Sequence, residues 1–394
     1  MQYTLTAAAV HQFAADILRE HLALRDYGRT CPADTLLSVL FAACARLTSL
    51  FAAAVGLRDA PSAETLRQAL LANLPELATL ERRANRALRA SLPRLPTSRQ
   101  RLAIDLTLIP YHGQPHHDED ELYRGQAKSG TTHFHAYATA YLILRGRRVT
   151  LALVYVRHGQ KMQGVLKRLM RLVARTGVKV RLLLLDRGFW SVAVIRYLQA
   201  ARYPFLMPVT ARGRKASAGR AAGGTRVFWD WQRGGWGQYT LVEGGKVRQA
   251  RVSICVHRRN RAGRRGKHGR EHLVYAFWGW QPPASPRAVS ELYRERFGIE
   301  TSYRQMNQCR ARTCTRNPAV RLMLVAVALV LRNVWAWLHW EVLASHRRGQ
   351  QGLRLDALTI KAMLLMLLAV AVGRFGFTDT ALAEHPIPHR LRAG

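Results

Sequence analysis

The chain has 394 residues, and 61 Lys and Arg residues against 24 Asp and Glu residues give it a formal net charge of +37 and a pI of about 11.4. Charge this far from zero destabilises a compact protein by self-repulsion, so it favours a polyanionic partner, either nucleic acid or an anionic membrane surface. A hydrophobic content of 48%, with nine Trp, 13 Tyr and 11 Phe residues, excludes a disordered basic tail and indicates a folded protein of roughly two or three domains.

Membrane insertion is the weaker of these two possibilities. The longest apolar runs, 322–331 and 362–373, are well short of the ~20 residues that cross a bilayer, and they are typical of buried core helices. The N-terminal residues include His11, Asp16 and Arg19 where a signal peptide needs an uninterrupted apolar stretch. Five cysteines without a Cys-x-x-Cys pair indicate reduced thiols. We therefore expect a cytoplasmic, nucleoid-associated protein without a membrane partner.

The first segment, residues 1–96, is rich in Ala, Leu and Arg at helical spacing, which predicts a helical DNA-binding or dimerisation domain. Its longest helix is predicted over Asp34–Val55, followed by a turn and a helix over Ser62–Asn73 with Ser62 as N-cap. Two helices joined by a short turn are compatible with a helix-turn-helix DNA reader. A helical bundle used for docking or dimerisation is the favoured alternative.

The pattern after Pro96 changes to alternating and continuous apolar runs, which predict a mixed α/β domain. The expected order is three strands, a helix, a strand, a helix and a strand. These elements are predicted over 101–111, 134–144, 149–157, 162–176, 179–185, 191–201 and 204–209. We therefore assign residues 97–209 to the first part of an α/β core.

Residues 210–284 are rich in Gly, Arg and Trp and are predicted to form a basic β-rich insertion. Strands are predicted there over 225–231, 238–242, 249–256 and 272–278. The stretch 257–270 contains no acid, although a solvated hairpin tip has little reason to carry one sign of charge only. We predict that its cationic side chains contact DNA phosphates. They are Arg258, Arg259, Arg261, Arg264, Arg265, Lys267 and Arg270.

Helical patterns return after the insertion. They are predicted over 285–310, 319–340 and 353–372. We assign residues 285–340 to the last part of the core and residues 341–394 to a C-terminal helical region.

Two acids lie in apolar strands, where a carboxylate is conspicuous in so basic a chain. Asp105 lies in the middle of the first predicted strand, and Asp186 ends the nearly continuous apolar run 182–185. An unpaired buried carboxylate is costly, so each needs a cation, a donor network or a metal. Either one alone is more often structural; Asp186, for example, could pair with Arg187 or cap the next helix.

A third acid, Glu300, shares one predicted helical face with Tyr293, Arg296, Arg304 and Asn307, which recur at intervals of three and four residues. Ordinary ion pairs four residues apart would explain part of this pattern. Two strand aspartates and one helix glutamate also supply the oxygen ligands that Mg²⁺ and Mn²⁺ prefer, and they could hold two ions.

These motifs resemble those of DDE transposases from the β-insertion branch of prokaryotic insertion sequences, which includes a halobacterial-type group. That branch is marked by Tyr-x2-Arg-x3-Glu-x6-Lys around its third acid. This chain has Tyr293, Arg296 and Glu300 at the first three positions and Asn307 where the family has Lys. Arg304 or Arg310 could supply the missing charge. The turn Asp186-Arg187-Gly188-Phe189 also resembles that group.

The resemblance implies a ribonuclease-H-like catalytic core interrupted by the β-rich insertion, with an all-α N-terminal domain and C-terminal helices. It implies that Asp105, Asp186 and Glu300 are catalytic and bind two Mg²⁺ ions, for which Mn²⁺ can substitute. It also implies cleavage and joining of double-stranded DNA, both at transposon terminal inverted repeats and in target DNA, by a homodimer or higher oligomer. The residues around the third acid, Tyr293, Arg296, Arg304 and Asn307, would then contact DNA.

In such relatives an aromatic side chain receives a flipped base during hairpin formation. Four tryptophans of the insertion are candidates on residue type alone, because stacking needs only a π face. They are Trp229, Trp231, Trp236 and Trp278. Each is equally compatible with the core of a small β-domain.

Two other functions remain open at this stage. The Asn307 position is compatible with a decayed transposase copy or another non-catalytic basic DNA-binding protein. A ribonuclease-H-like nuclease specific for DNA structure is the second alternative.

One further cluster after the first strand could in principle bind zinc. Because it lacks the helical spacing of hydrolytic zinc motifs, a solvated loop is favoured. Its members are His112, His116, His117, Asp118, Asp120 and Glu121.

Overall fold

A computed structural model describes residues 4–144, 147–243, 247–260, 270–344 and 354–380. Its N-terminal part is helical, as predicted. The helices are α1 (Ala7–Leu22), α2 (Ala33–Arg46), α3 (Leu50–Val55), α4 (Ala63–Ala72) and α5 (Leu77–Ala90).

The predicted helix over Asp34–Val55 is wrong, because it is divided into α2 and α3. Leu47 adopts a left-handed conformation (φ 51°) and ends α2, and the Ser49 hydroxyl accepts the Ala52 N–H and starts α3. The predicted cap of α4 is confirmed, since the Ser62 hydroxyl accepts the Thr65 N–H.

The next part of the chain forms a mixed sheet. Its strands are β1 (Gln100–Pro110), β2 (Tyr123–Lys128), β3 (Thr131–Leu144), β4 (Arg147–Val156), β5 (Val180–Leu185) and β6 (Phe205–Pro208), with α6 (Met162–Ala174) after β4 and α7 (Val192–Ala200) after β5. The spatial order is β4-β3-β1-β5-β6, and short β2 pairs with the start of β3. β1 is antiparallel to β3 and parallel to β5, which is in turn parallel to β6. This is a ribonuclease-H-like arrangement, as expected; β2 was not predicted.

The insertion continues the same sheet. Its antiparallel strands are β7 (Gly235–Glu243), β8 (Arg248–Asn260) and β9 (Arg270–Trp278), and β9 pairs with β6. The predicted strand over 225–231 is wrong, because Gly224–Trp229 is a 3₁₀ helix. There the Thr225 hydroxyl donates to the Thr210 carbonyl and accepts the Arg212 N–H, local bonds that replace strand pairing.

Helices cover both faces of the sheet. α6 and α7 pack on the face that carries Leu102 and Ile104, and α8 (Pro286–Arg294) and α9 (Gly298–Cys309) pack on the other. The predicted helix over 285–310 is interrupted, since residues Glu295–Phe297 form a 3₁₀ turn between α8 and α9.

The remaining helices, α10 (Pro318–Trp337) and α11 (Ile360–Phe375), share one apolar core with α1, α2, α4 and α5. The start predicted for α11, at 353, is wrong: residues 354–359 form a turn, and Leu353 lies outside the described ranges. The segment Pro318–Val342 is long and apolar enough to span a membrane, but its apolar window is entirely buried inside the protein. Such burial is typical of a core helix.

Two buried amides join the helical layer to the outer edge of β4. The Asn85 side chain of α5 exchanges hydrogen bonds of 2.9 and 2.7 Å with the Leu153 N–H and carbonyl. The Asn333 side chain of α10 does the same at Thr150, with both distances 2.9 Å. The amides therefore satisfy backbone groups that would otherwise be unpaired at a buried sheet edge.

We predict that Asn333→Leu lowers the free energy of unfolding by about 2–6 kcal/mol, because it leaves the Thr150 N–H and carbonyl buried without partners, at about 1–3 kcal/mol each. Urea denaturation monitored by circular dichroism measures this loss. The same substitution at exposed Asn307 is the control and should change stability little. Equal effects at both positions would show that the edge contact contributes nothing specific.

Candidate active site

The two strand aspartates lie side by side on adjacent parallel strands, Asp105 in the middle of β1 and Asp186 directly after the end of β5. Ile104 of β1 pairs with Leu185 of β5, so Asp105 and Asp186 follow at neighbouring positions. Asp105 is 8% exposed and accepts a hydrogen bond from the Leu106 N–H (2.8 Å), whereas Asp186 is partly exposed.

The third acid joins them through Arg296, which the 3₁₀ turn directs inward. The Arg296 guanidinium is 3.0 Å from Asp186 Oδ1, 3.4 Å from Asp105 Oδ1 and 3.9 Å from Glu300 Oε1. Arg296 is only 5% exposed, and its Nε has no hydrogen-bond partner among the described residues. The structure thus brings the three predicted acids together around one buried cation.

Two tyrosines hold the elements of this site. The Tyr293 hydroxyl donates a 3.0 Å hydrogen bond to the Leu185 carbonyl, next to Asp186, and burial raises the pKa of Tyr293. The Tyr303 hydroxyl is 2.7 Å from the Thr139 hydroxyl, which ties α9 to β3 opposite Asp105. Tyr303 was not among the predicted site residues; its position three residues after Glu300 was the available signal.

The site carries excess negative charge. The pKa of Asp105 is raised to about 6, first by burial and also by Asp186 and Glu300, although Arg296 and the Leu106 N–H oppose the shift. Among the described residues, no three His, Cys, Asp or Glu side chains are placed closely enough to share a metal ion. The acids instead surround the guanidinium. Their oxygens still suit a hard divalent cation, since one guanidinium does not balance three carboxylates.

Comparison with known proteins identifies the family. The transposase DDE domain matches residues 96–332. The chain belongs to the DDE transposase family. Transposase domains of this family generally use divalent metal ions and act on DNA.

A cryo-EM structure of the piggyBac transposase synaptic complex with hairpin DNA has a similar fold. Its TM-score is 0.58 and its sequence identity is 9%, over 95% of this chain and 81% of that one. Identity this low shows likeness of fold alone. None of the curated proteins compared with the chain matches it.

The other predicted DNA contacts of this transposase are spread over two regions. Arg304 and Asn307 are exposed on α9, and Arg304 donates to the Thr301 hydroxyl at 3.3 Å. Arg258 and Arg259 lie on β8, where the Arg259 guanidinium forms a 2.7 Å ion pair with Glu271 of β9. Arg270 begins β9. Four further predicted contacts lie outside the described residues: Arg261, Arg264, Arg265 and Lys267.

A cleft of about 410 Å³ opens beside the acids, between the core and the insertion. Trp229 lines it, together with Tyr293 and with Arg187 and Phe297, which directly follow Asp186 and Arg296. The other three candidate tryptophans are placed elsewhere. Trp231 packs on Phe228, Trp236 is partly exposed against Phe277, and Trp278 lies at the end of β9.

The histidine-rich segment after β1 is a loop with its own internal contacts. The Glu121 carboxylate accepts the backbone N–H groups of His116 and His117, and Asp118 forms an ion pair with Arg157. Within the described ranges this loop contains no set of three side chains that could hold a metal ion.

We predict that the metal-free Asp105→Asn variant becomes increasingly more stable than the metal-free wild type as the pH rises from about 4 to about 6. Because the folded-state pKa is raised, the native state binds this proton more tightly than the unfolded chain, so wild-type stability falls over that window and stays lower above it. The Asn variant avoids this loss, which amounts to up to about 3 kcal/mol for a shift of about two pH units.

Urea titrations in EDTA at several pH values measure the difference. The exposed Asp356, which forms an ion pair with Arg354, is the matched control, and Asp356→Asn should show no such gain. A pH-independent difference between Asp105→Asn and wild type would contradict the expected shift.

Proposed function

We propose that the protein is a DNA transposase that cuts DNA at transposon ends and joins it to target DNA by two-metal-ion phosphoryl transfer. The observation that supports this most directly is the convergence of Asp105, Asp186 and Glu300 from β1, β5 and α9 around one cation. The three carboxylates would hold two Mg²⁺ ions, for which Mn²⁺ could substitute. When bound, the ions would activate the attacking water or DNA 3′-hydroxyl and stabilise the leaving oxygen.

The chain's own residues have separate tasks in this proposal. Tyr293 fixes the end of β5 through the Leu185 carbonyl and so orients Asp186. Tyr303 fixes α9 against β3 and so orients Glu300. Arg296 limits repulsion among the carboxylates and can contact a DNA phosphate that enters the site. Positioning of this kind supplies a large part of catalysis in phosphoryl transfer.

We also propose membership in the β-insertion branch of insertion-sequence transposases. Three of the four signature residues are present, and β7–β9 lie between the second and third acids. Its partners would be terminal inverted repeats and target DNA, bound by a homodimer or higher oligomer. A cytoplasmic, nucleoid-associated location follows from this activity. The similar piggyBac structure, a synaptic complex with hairpin DNA, supports the DNA partner.

We predict that Asp186→Asn abolishes nicking of a duplex that carries the transposon end, while binding of that duplex is largely kept. The substitution removes one carboxylate ligand and leaves the basic surface intact. Denaturing gels measure nicking, and fluorescence anisotropy measures binding. Asp356→Asn is the control and should retain both.

Metal-dependent nicking by Asp186→Asn would refute the assignment of this residue. A wild-type protein that binds the duplex without cutting it in Mg²⁺ would favour a non-catalytic DNA-binding protein. Cleavage without joining of a 3′ end to target DNA would favour a structure-specific nuclease.

The cleft beside the acids supports a hairpin route. Trp229 and Phe297 offer two aromatic faces within it, and Arg187 supplies a positive charge. A base rotated out of the duplex near the cut could stack there, which selects Trp229 among the four candidate tryptophans.

We predict that Trp229→Ala reduces hairpin formation about tenfold or more while first-strand nicking continues, because base stacking contributes ~1–3 kcal/mol. Gel analysis of end-labelled duplexes separates the two products. Trp229→Phe keeps a π face and should restore hairpins. Trp236→Ala removes an aromatic outside the cleft and should have no effect; equal loss in both Ala variants would contradict the assignment.

A further inference from the structure

A second group of polar side chains lies on the sheet face that carries the acids, farther along β1 and β3. Tyr111 follows the end of β1, and His135 and Tyr137 lie on β3 on the same side as Thr139, which pairs with Asp105. Arg310 ends α9, and Arg321 lies in the first turn of α10. We refer to these five residues as the basic cluster.

Four members of the basic cluster are buried, and Arg310 is partly exposed. The Arg321 guanidinium lies over the Tyr111 ring at 4.5 Å, and the Tyr111 and His135 rings are 4.9 Å apart. His135 is 1% exposed and Tyr137 is 0% exposed. Burial lowers the pKa of the Arg310 guanidinium, nearby Arg312 and Arg321 lower it further, and Tyr137 opposes the shift.

Several buried polar atoms in the basic cluster have no hydrogen-bond partner in the part of the chain that the structure describes. Among the described residues, no hydrogen-bond partner exists for His135 Nδ1 and Nε2, the Tyr137 hydroxyl or Arg310 Nε. Within the part of the chain that the structure describes, Arg321 donates to the carbonyl oxygens of Thr315 and Thr313 and to no carboxylate. Within the described ranges, neither arginine forms an ion pair with a carboxylate.

Unpaired polar groups and cations of this kind destabilise the folded protein unless a bound anion supplies the missing partners. Buried polar groups are normally hydrogen-bonded, and buried charges are normally paired. The cluster offers guanidinium, hydroxyl and imidazole donors near the N-terminus of α10, whose dipole also favours negative charge. These donors match an oxyanion that has several acceptor oxygens, as phosphate has.

We propose that the basic cluster is a phosphate-binding site separate from the three acids. Glu300 and Arg310 are ten residues apart on α9, about 15 Å along the helix, and Asp105 and Tyr111 are about 20 Å apart along β1. That distance corresponds to about five base pairs of duplex. A DNA strand that runs along α9 from the acids would therefore bring a backbone phosphate to Arg310, the partly exposed member of the cluster.

The phosphate group can come from DNA or from a free oxyanion, and two measurements on the full chain distinguish these sources. The first is thermal unfolding in inorganic phosphate compared with chloride at equal ionic strength. The second is the salt dependence of binding to an end-bearing duplex. Only the DNA measurement rests on the proposed function, and metal-dependent nicking by wild type tests that function independently.

Arg310→Gln is the main variant, and Arg171→Gln is its matched control, since Arg171 is exposed on α6 across the sheet. We expect phosphate to raise the melting temperature of wild type and Arg171→Gln by more than that of Arg310→Gln. In chloride, Arg310→Gln should be at least as stable as wild type, because it removes a half-buried charge that has no carboxylate partner among the described residues. Tyr137→Phe provides a second test if Arg310→Gln fails to fold.

If the phosphate belongs to DNA, Arg310→Gln should also flatten the slope of log affinity against log salt by about 0.9, which corresponds to one lost contact. Loss of the phosphate effect with an unchanged slope would assign the site to a free oxyanion. A reduced slope alone would assign it to DNA. The proposal is overturned if Arg310→Gln and Tyr137→Phe match Arg171→Gln in both measurements.

Discussion

The geometry of the active site depends on one ionic interaction, the contact of the buried Arg296 guanidinium with three carboxylates. Without that cation, Asp105 in the middle of β1 and Asp186 at the end of the neighbouring β5 would repel each other, and Glu300 would add a third negative charge. The cation enters the site because the chain turns through Glu295–Phe297 between α8 and α9. The arrangement remains short of positive charge, because one guanidinium faces three carboxylates. Burial raises the pKa of Asp105, and Asp186 and Glu300 raise it further. Arg296 therefore holds the three carboxylates together, and their remaining negative charge favours the binding of further cations.

The insertion and the core share one continuous sheet, because β9 pairs directly with β6. Trp229 and Tyr275 from the insertion thereby meet Tyr293 from α8 across a single cleft. The Tyr293 hydroxyl in turn binds the backbone beside Asp186. A ligand that displaces one wall of the cleft would act on the end of β5. In the proposed function, substrate binding and the position of Asp186 would therefore depend on the same contacts.

The sequence was sufficient to predict features that depend on local pattern. Apolar runs located five of the six core strands, and the scarcity of acids singled out Asp105 and Asp186. The regular spacing from Tyr293 to Asn307 predicted an uninterrupted helix. Spacing alone does not reveal the 3₁₀ turn at Glu295–Phe297, in which Arg296 is buried. The contacts of Asn85 and Asn333 with β4 could not be predicted from local sequence pattern either, since they join residues far apart in sequence. Leu47 and Thr225 depart from their predicted elements through backbone geometry that residue type alone does not indicate.

The net charge of +37 does not by itself identify the DNA-contacting residues, because folding pairs some arginines and leaves others unpaired. Arg259 belongs to the acid-free stretch 257–270, yet β9 brings Glu271 to within 2.7 Å of it and offsets its charge locally. Arg310 and Arg321 lie in a less conspicuous part of the sequence, but the fold gives them no carboxylate partner among the described residues. A phosphate gains more from a cation that is already desolvated and unpaired than from one it must compete for. The distribution of pairing, more than the number of arginines, therefore indicates where the DNA backbone binds.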